Sequence, residues 1–67
     1  MAKDRVTIYP FTWCGEVEYH LKWTDYRWKG KEYNVAGQPT YGWKTVKGAQ
    51  RWAERKGFEV AKIENVA

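Results

Sequence analysis

The sequence predicts an α+β fold: a three- to four-stranded, mainly antiparallel sheet packed on one helix, in the order β-β-β-α-β. Residues 16–24 (EVEYHLKWT) alternate apolar and polar side chains with a strict period of two, which marks a strand with one buried and one wet face. Residues 45–57 (TVKGAQRWAERKG) switch to helical spacing between a threonine and a glycine, a start and a stop signal. The chain has 67 residues, room for one domain whose single core is marginal in size.

A chain this short needs disulfides, a metal, an oligomer or heavy core residues. Cys14 is the single cysteine, so no disulfide forms within the chain, and Cys14 with His20 makes too small a ligand set for zinc. No metal or cofactor is expected. Five Trp, five Tyr and two Phe supply mass instead. Each ring can bury roughly 150–250 Å², so an aromatic core is expected. Twelve Lys/Arg against eight Asp/Glu give a formal charge of +4, a mild excess compatible with a polyanionic partner. No apolar run approaches the roughly 20 residues of a membrane span, and no secretory segment follows Met1. With a free cysteine, these features point to the cytoplasm.

The elements follow in order. Residues 1–4 read as a polar tail. Residues 5–11 (RVTIYPF) are rich in β-branched and aromatic side chains and form a strand. Pro10 lacks a donor for the ladder and belongs at an edge or a strand end. Residues 12–15 are a turn. In residues 16–24, Val17, Tyr19, Leu21 and Trp23 share the buried face. Residues 28–36 pair with this strand after a reversal at residues 24–27 or nearer 29–31, where Gly30 is the better turn residue. The register, and with it the face taken by Tyr26, Trp28 and Tyr33, stays open.

Residues 36–40 are punctuation. Thr45 then caps a helix that Gly57 ends. Val46, Ala49, Trp52 and Ala53 form its apolar stripe, and Lys47, Arg51 and Arg55 a separate basic one. Arg55 and Lys56 suit the negative end of the helix dipole, while Gly48 costs about 1 kcal/mol relative to alanine. Residues 58–66 close the sheet. Tyr19, Trp23, Trp43 and Trp52 are assigned to the core.

The run GWKTVKGAQRW, residues 42–52, resembles the helix entry of the arm-type DNA-binding domain found at the N-terminus of phage and integrative-element tyrosine recombinases. Small phage domains of β-β-β-α-β order share the pattern. The resemblance spans about residues 15–56 and implies a three-stranded sheet with one helix. It also implies a free-standing DNA-binding module of phage or mobile-element origin. Gly48 stands where that family carries an acidic residue, and residues 58–66 read as a strand instead of a linker. There is no recombinase body, so strand transfer is not implied.

In that family the free sheet face enters the major groove, which admits a β-ribbon. Here the face would present His20, Lys22 and Thr24, joined by some of Arg27, Lys29 and Lys31. Lys22, Arg27, Lys29 and Lys31 are the candidate phosphate contacts, and Arg27 can also pair with guanine. Tyr26 and Trp28 can stack on bases, anchor a protein partner, or take their own lysines as cation–π partners. Glu16 and Glu18 oppose phosphate at one end of the face. Lys47, Arg51 and Arg55 form a secondary basic face, and a solvated charge face is the plainer account of both. His20 reads as a surface strand residue. No nucleophile–base set, phosphate loop or catalytic carboxylate pair is present, so no enzyme is expected.

The expectation is therefore a non-enzymatic DNA-binding module that favours duplex over single strand. The alternative is a phage-type accessory protein that binds a host protein through an exposed aromatic patch. A third possibility is a weak homodimer paired through residues 58–66.

Overall fold

The computed structural model describes residues 4–64, without the side chains of residues 27 and 28. It has the predicted order: β1 (Arg5–Trp13), β2 (Glu16–Trp28), β3 (Lys31–Asn34), α1 (Val46–Arg55) and β4 (Glu59–Ile63). The four strands form one sheet in the order β3-β2-β1-β4. The β1–β2 and β2–β3 pairs are antiparallel and β4 runs parallel to β1. The parallel pair needs a crossover, which α1 supplies.

Both hairpins turn on two residues with positive φ: Cys14 (50°) with Gly15 (77°), and Lys29 (52°) with Gly30 (78°). This is the type I′ geometry, whose twist matches that of the flanking strands. Of the two reversals left open by the sequence, the chain uses the one at Lys29-Gly30. As a result β2 runs for 13 residues and β3 for only 4, shorter than the strand expected over residues 28–36. The expected strand over 58–66 is likewise shorter, and its last two residues lie outside the described ones.

Pro10 sits inside β1 and pairs with Tyr19. The N–H and C=O of Tyr19 both bond Trp43 on the far side of β2, at 2.7 and 2.9 Å, so Pro10 turns its nitrogen away from β2. Alongside, β4 pairs no further than Ile8, with Glu64 N–H donating to the Ile8 carbonyl at 2.7 Å. Pro10 thus occupies a local edge, where it breaks no ladder bond.

The far edge of β2 is closed by loop pieces once β3 stops at Asn34. Val35 N–H donates to the Leu21 carbonyl at 3.0 Å. The Gln38 side chain then acts as a strand backbone would: its Oε1 accepts from Leu21 N–H and its Nε2 donates to Leu21 O, both at 2.9 Å. Trp43 continues the ladder as a bridge to Tyr19. Gly42 makes that bridge fit, because its φ is +63° and a Cβ there would run into the Tyr19 carbonyl and the His20 ring.

α1 covers one face of the sheet. Thr45 Oγ1 accepts from Gly48 N–H at 3.1 Å, the expected N-cap. At the other end Gly57 (φ 85°) completes a Schellman motif, with Gly57 N–H bonded to Glu54 O at 3.0 Å and Phe58 N–H to Ala53 O at 2.9 Å. Gly48 has a packing reason, since a Cβ would lie 3.1 Å from Cδ1 of Trp43.

The core corrects one expectation. Its fully buried residues are aliphatic and small: Val6, Ile8, Leu21, Val35, Ala49 and Ala53. Tyr19, Trp23, Trp43 and Trp52 pack around them, only partly buried. The rings form a chain, with centroids 5.4 Å apart for Trp43–Trp52, 6.3 Å for Trp52–Phe58 and 5.3 Å for Trp23–Phe58. They seal the rim of the helix–sheet interface because Ala49 and Ala53 bring α1 too close for rings beneath it.

Candidate functional site

The β1–β2 register sorts the side chains. Val6, Ile8 and Pro10 lie opposite Trp23, Leu21 and Tyr19 on the helix side. Thr7, Tyr9, Phe11 and Trp13 lie opposite Lys22, His20, Glu18 and Glu16 on the open side. The open side is not the simple wet face that the alternation predicts. Glu18 and His20 are each 9% exposed. His20 lies between the rings of Tyr9 (5.9 Å) and Phe11 (5.7 Å). Glu18 accepts from Trp13 Nε1 at 2.9 Å and lies 3.4 Å from His20 Nε2. A period of two shows that a face exists, and the neighbouring strand decides what covers it.

Charge on this side is spent internally. Lys22 reaches Glu32 (3.3 Å) and Glu64 (3.6 Å), and its ammonium lies 5.1 Å from the Tyr9 ring centroid. Its side chain is 16% exposed. Arg5 joins Asp25 at 3.2 Å and Glu59 at 3.5 Å, and Lys62 joins Glu64 at 3.7 Å. Tyr9 donates to Asn34 Oδ1 at 2.7 Å and Thr7 shares a 2.7 Å bond with Thr24. Among the described residues, then, Arg5, Lys22 and Lys62 are outnumbered on this side by Glu16, Glu18, Asp25, Glu32, Glu59 and Glu64.

The β2–β3 hairpin has its own geometry. Its register slips between the Lys22–Asn34 and Arg27–Glu32 pairs, a bulge carried by β2. The bulge sets Asp25 beside Arg5 and turns Tyr26 toward Trp23, and these two rings with Asp4 line a shallow cleft of about 280 Å³. Tyr26 is 57% exposed and its ring lies 5.6 Å from that of Tyr33. Lys29 and Lys31 are exposed at and beside the turn. The side chains of Arg27 and Trp28, two of the candidate contacts, lie outside the described residues.

The remaining described cations gather on α1. Lys47, Arg51 and Arg55 recur at i, i+4 and i+8 on the face opposite the buried Ala49 and Ala53, and all three are exposed. Lys44 before the helix and Lys56 at its C-cap are exposed as well, with Lys56 lying 5.5 Å from the Trp52 ring centroid. Glu54 is the acidic residue within α1, and the first turn has none.

The structure thus places the sequence-derived candidates on separate surfaces. Lys22 is locked in the open sheet face, Tyr26 turns to the helix side, and Lys29 and Lys31 stand at the hairpin tip. Lys47, Arg51 and Arg55 stay together as the secondary basic face. Sequence reasoning missed the cluster of Tyr9, Phe11, Trp13, Glu18, His20 and Tyr41, although the aromatic-every-second-residue run from Tyr9 to Trp13 was its signal. Tyr41 stacks on Trp13 at 6.2 Å with an interplanar angle of 12°. No protein-family model, characterised protein or solved structure matches the chain.

Proposed function

We propose that the protein is a DNA-binding module, duplex favoured over single strand, whose contact surface is the outer face of α1. The hairpin tip with Lys29 and Lys31 is a second contact. One observation carries this reading: the cations are segregated. Lys44, Lys47, Arg51, Arg55 and Lys56 lie exposed on or beside α1 with Glu54 as the acidic residue there, whereas the open sheet face is rich in carboxylates. From Lys47 to Arg55 the helix rises about 12 Å, over which a duplex carries about seven charges. A straight, rigid stripe of cations can follow a phosphate backbone with little ordering cost. The sheet-in-groove docking of the arm-type domains is less well supported, because Lys22 would have to leave Glu32 and Glu64. A phage or mobile-element setting in the cytoplasm belongs to the same reading.

The test is fluorescence titration with mixed-sequence duplex and single strand over a salt series, using the wild type and charge-reversal variants. Binding of the wild type falls with salt with a log–log slope of about −3. Lys47→Glu with Arg51→Glu weakens it more than tenfold and flattens the slope by about 2. Lys29→Glu with Lys31→Glu weakens it less, and Lys22→Gln leaves it unchanged. Wild-type strength in a folded Lys47/Arg51 variant would remove the helix from the interface. A second reading, a host-protein contact at the hairpin, is favoured by the exposed Tyr26–Tyr33 pair beside its cleft. It predicts loss of a partner on Tyr26→Ala with little salt dependence.

A further inference from the structure

The open sheet face holds one cation in a way that explains the rest of that face. The Lys22 ammonium lies 5.1 Å from the Tyr9 ring centroid and is matched by the carboxylates of Glu32 and Glu64. Ring face plus carboxylate is the combination that holds a desolvated ammonium or guanidinium.

The same combination recurs at the other end of the face with no such occupant. Phe11 is 49% exposed, Trp13 45% and Tyr41 66%, and they stand next to one another through the β1 alternation and the Trp13–Tyr41 stack. Trp13 lies directly across from Glu16. Glu18 beneath them is held by Trp13 Nε1 and His20. Among the described residues no lysine or arginine pairs with Glu16 or Glu18 or lies over these three rings. Three large exposed rings side by side mark an interaction surface, and the adjacent carboxylates decide its sign, disfavouring a phosphate backbone.

We infer that Phe11, Trp13 and Tyr41, with Glu16, bind a basic segment of a partner polypeptide. An arginine or lysine side chain lies on the rings and its charged end faces Glu16. Trp13 is fixed for this by its bond to Glu18, so little order is lost on docking. The surface lies on the opposite side of the sheet from α1, so it is independent of the nucleic-acid reading and both partners can bind at once.

The experiment follows the five indole N–H resonances by NMR at low salt, with Trp13 assigned through Trp13→Phe. The full chain is titrated with a ten-residue peptide containing four arginines, with the same peptide carrying glutamines instead, and with a DNA oligonucleotide. The arginine peptide is expected to shift the Trp13 indole and the glutamine peptide to leave it in place. Glu16→Gln should weaken the arginine peptide at least threefold, and Phe11→Ala with Tyr41→Ala should abolish its effect while the fold-reporting Trp23 and Trp52 signals stay put. The proposal is overturned if DNA moves Trp13 and the peptide does not. It is also overturned if both peptides act equally. A Trp13 signal that shifts with protein concentration alone would overturn it too, by giving the surface to a second copy.

Discussion

Gly42 is the residue on which the loop after β3 depends. Its φ of +63° lies in the left-handed region, and a Cβ would meet the Tyr19 carbonyl and the His20 ring at once. Gly42→Ala is therefore expected to lower stability by about 2–4 kcal/mol, combining backbone strain with overpacking. Gly30→Ala, at φ 78° in open space, should lose only about 1 kcal/mol. Chemical denaturation of both variants checks the ordering, and equal losses would deny Gly42 its special place. At this scale the sequence was legible where a rule is local. Thr45 and Gly57 are a cap and a stop whatever surrounds them. Gly42 and Glu18 were not legible, because what constrains them is set by tertiary pairing: the Tyr19 carbonyl across the bridge for Gly42, and the Trp13 indole across the β1–β2 hairpin for Glu18.

The elements were legible in kind and less so in length. Period-two alternation marked β2, but β2 continues to Trp28 because the type I′ turn sits at Lys29-Gly30. The bulge between Lys22 and Arg27 then decides where Tyr26 points, and no periodicity reports a bulge in advance. In α1 the apolar stripe and the basic stripe were both visible from spacing alone, the first burying Ala49 and Ala53 and the second exposed. The N-cap offers a direct check. Thr45→Ala removes the acceptor for Gly48 N–H, and a loss of about 1 kcal/mol with little effect on the sheet is expected. Helical ellipticity and the denaturation midpoint should fall together. A midpoint that does not move would mean that Trp43 and Trp52 alone hold the first turn.

At the scale of the whole molecule, the chain keeps its charges apart. The helix side presents lysines and arginines, and the open side holds carboxylates and rings, so a net charge of +4 conceals two surfaces of opposite character. Composition could not reveal this, because Lys22 is neutralised by Glu32 from β3 and by Glu64 beyond β4, residues 10 and 42 positions away. The parallel placement of β4 beside β1 also has a kinetic meaning. The two hairpins close over short loops and can form early, whereas β4 joins Arg5–Ile8 only after the chain has passed through α1. Val60→Ala should then speed unfolding and leave the refolding rate nearly unchanged, as stopped-flow chevrons would show. A matching drop in refolding rate would place β4 in the nucleus instead. If β4 docks last, it is also the first strand to leave, and the exposed side of β1 becomes the point at which a protease or another chain first meets an opened molecule.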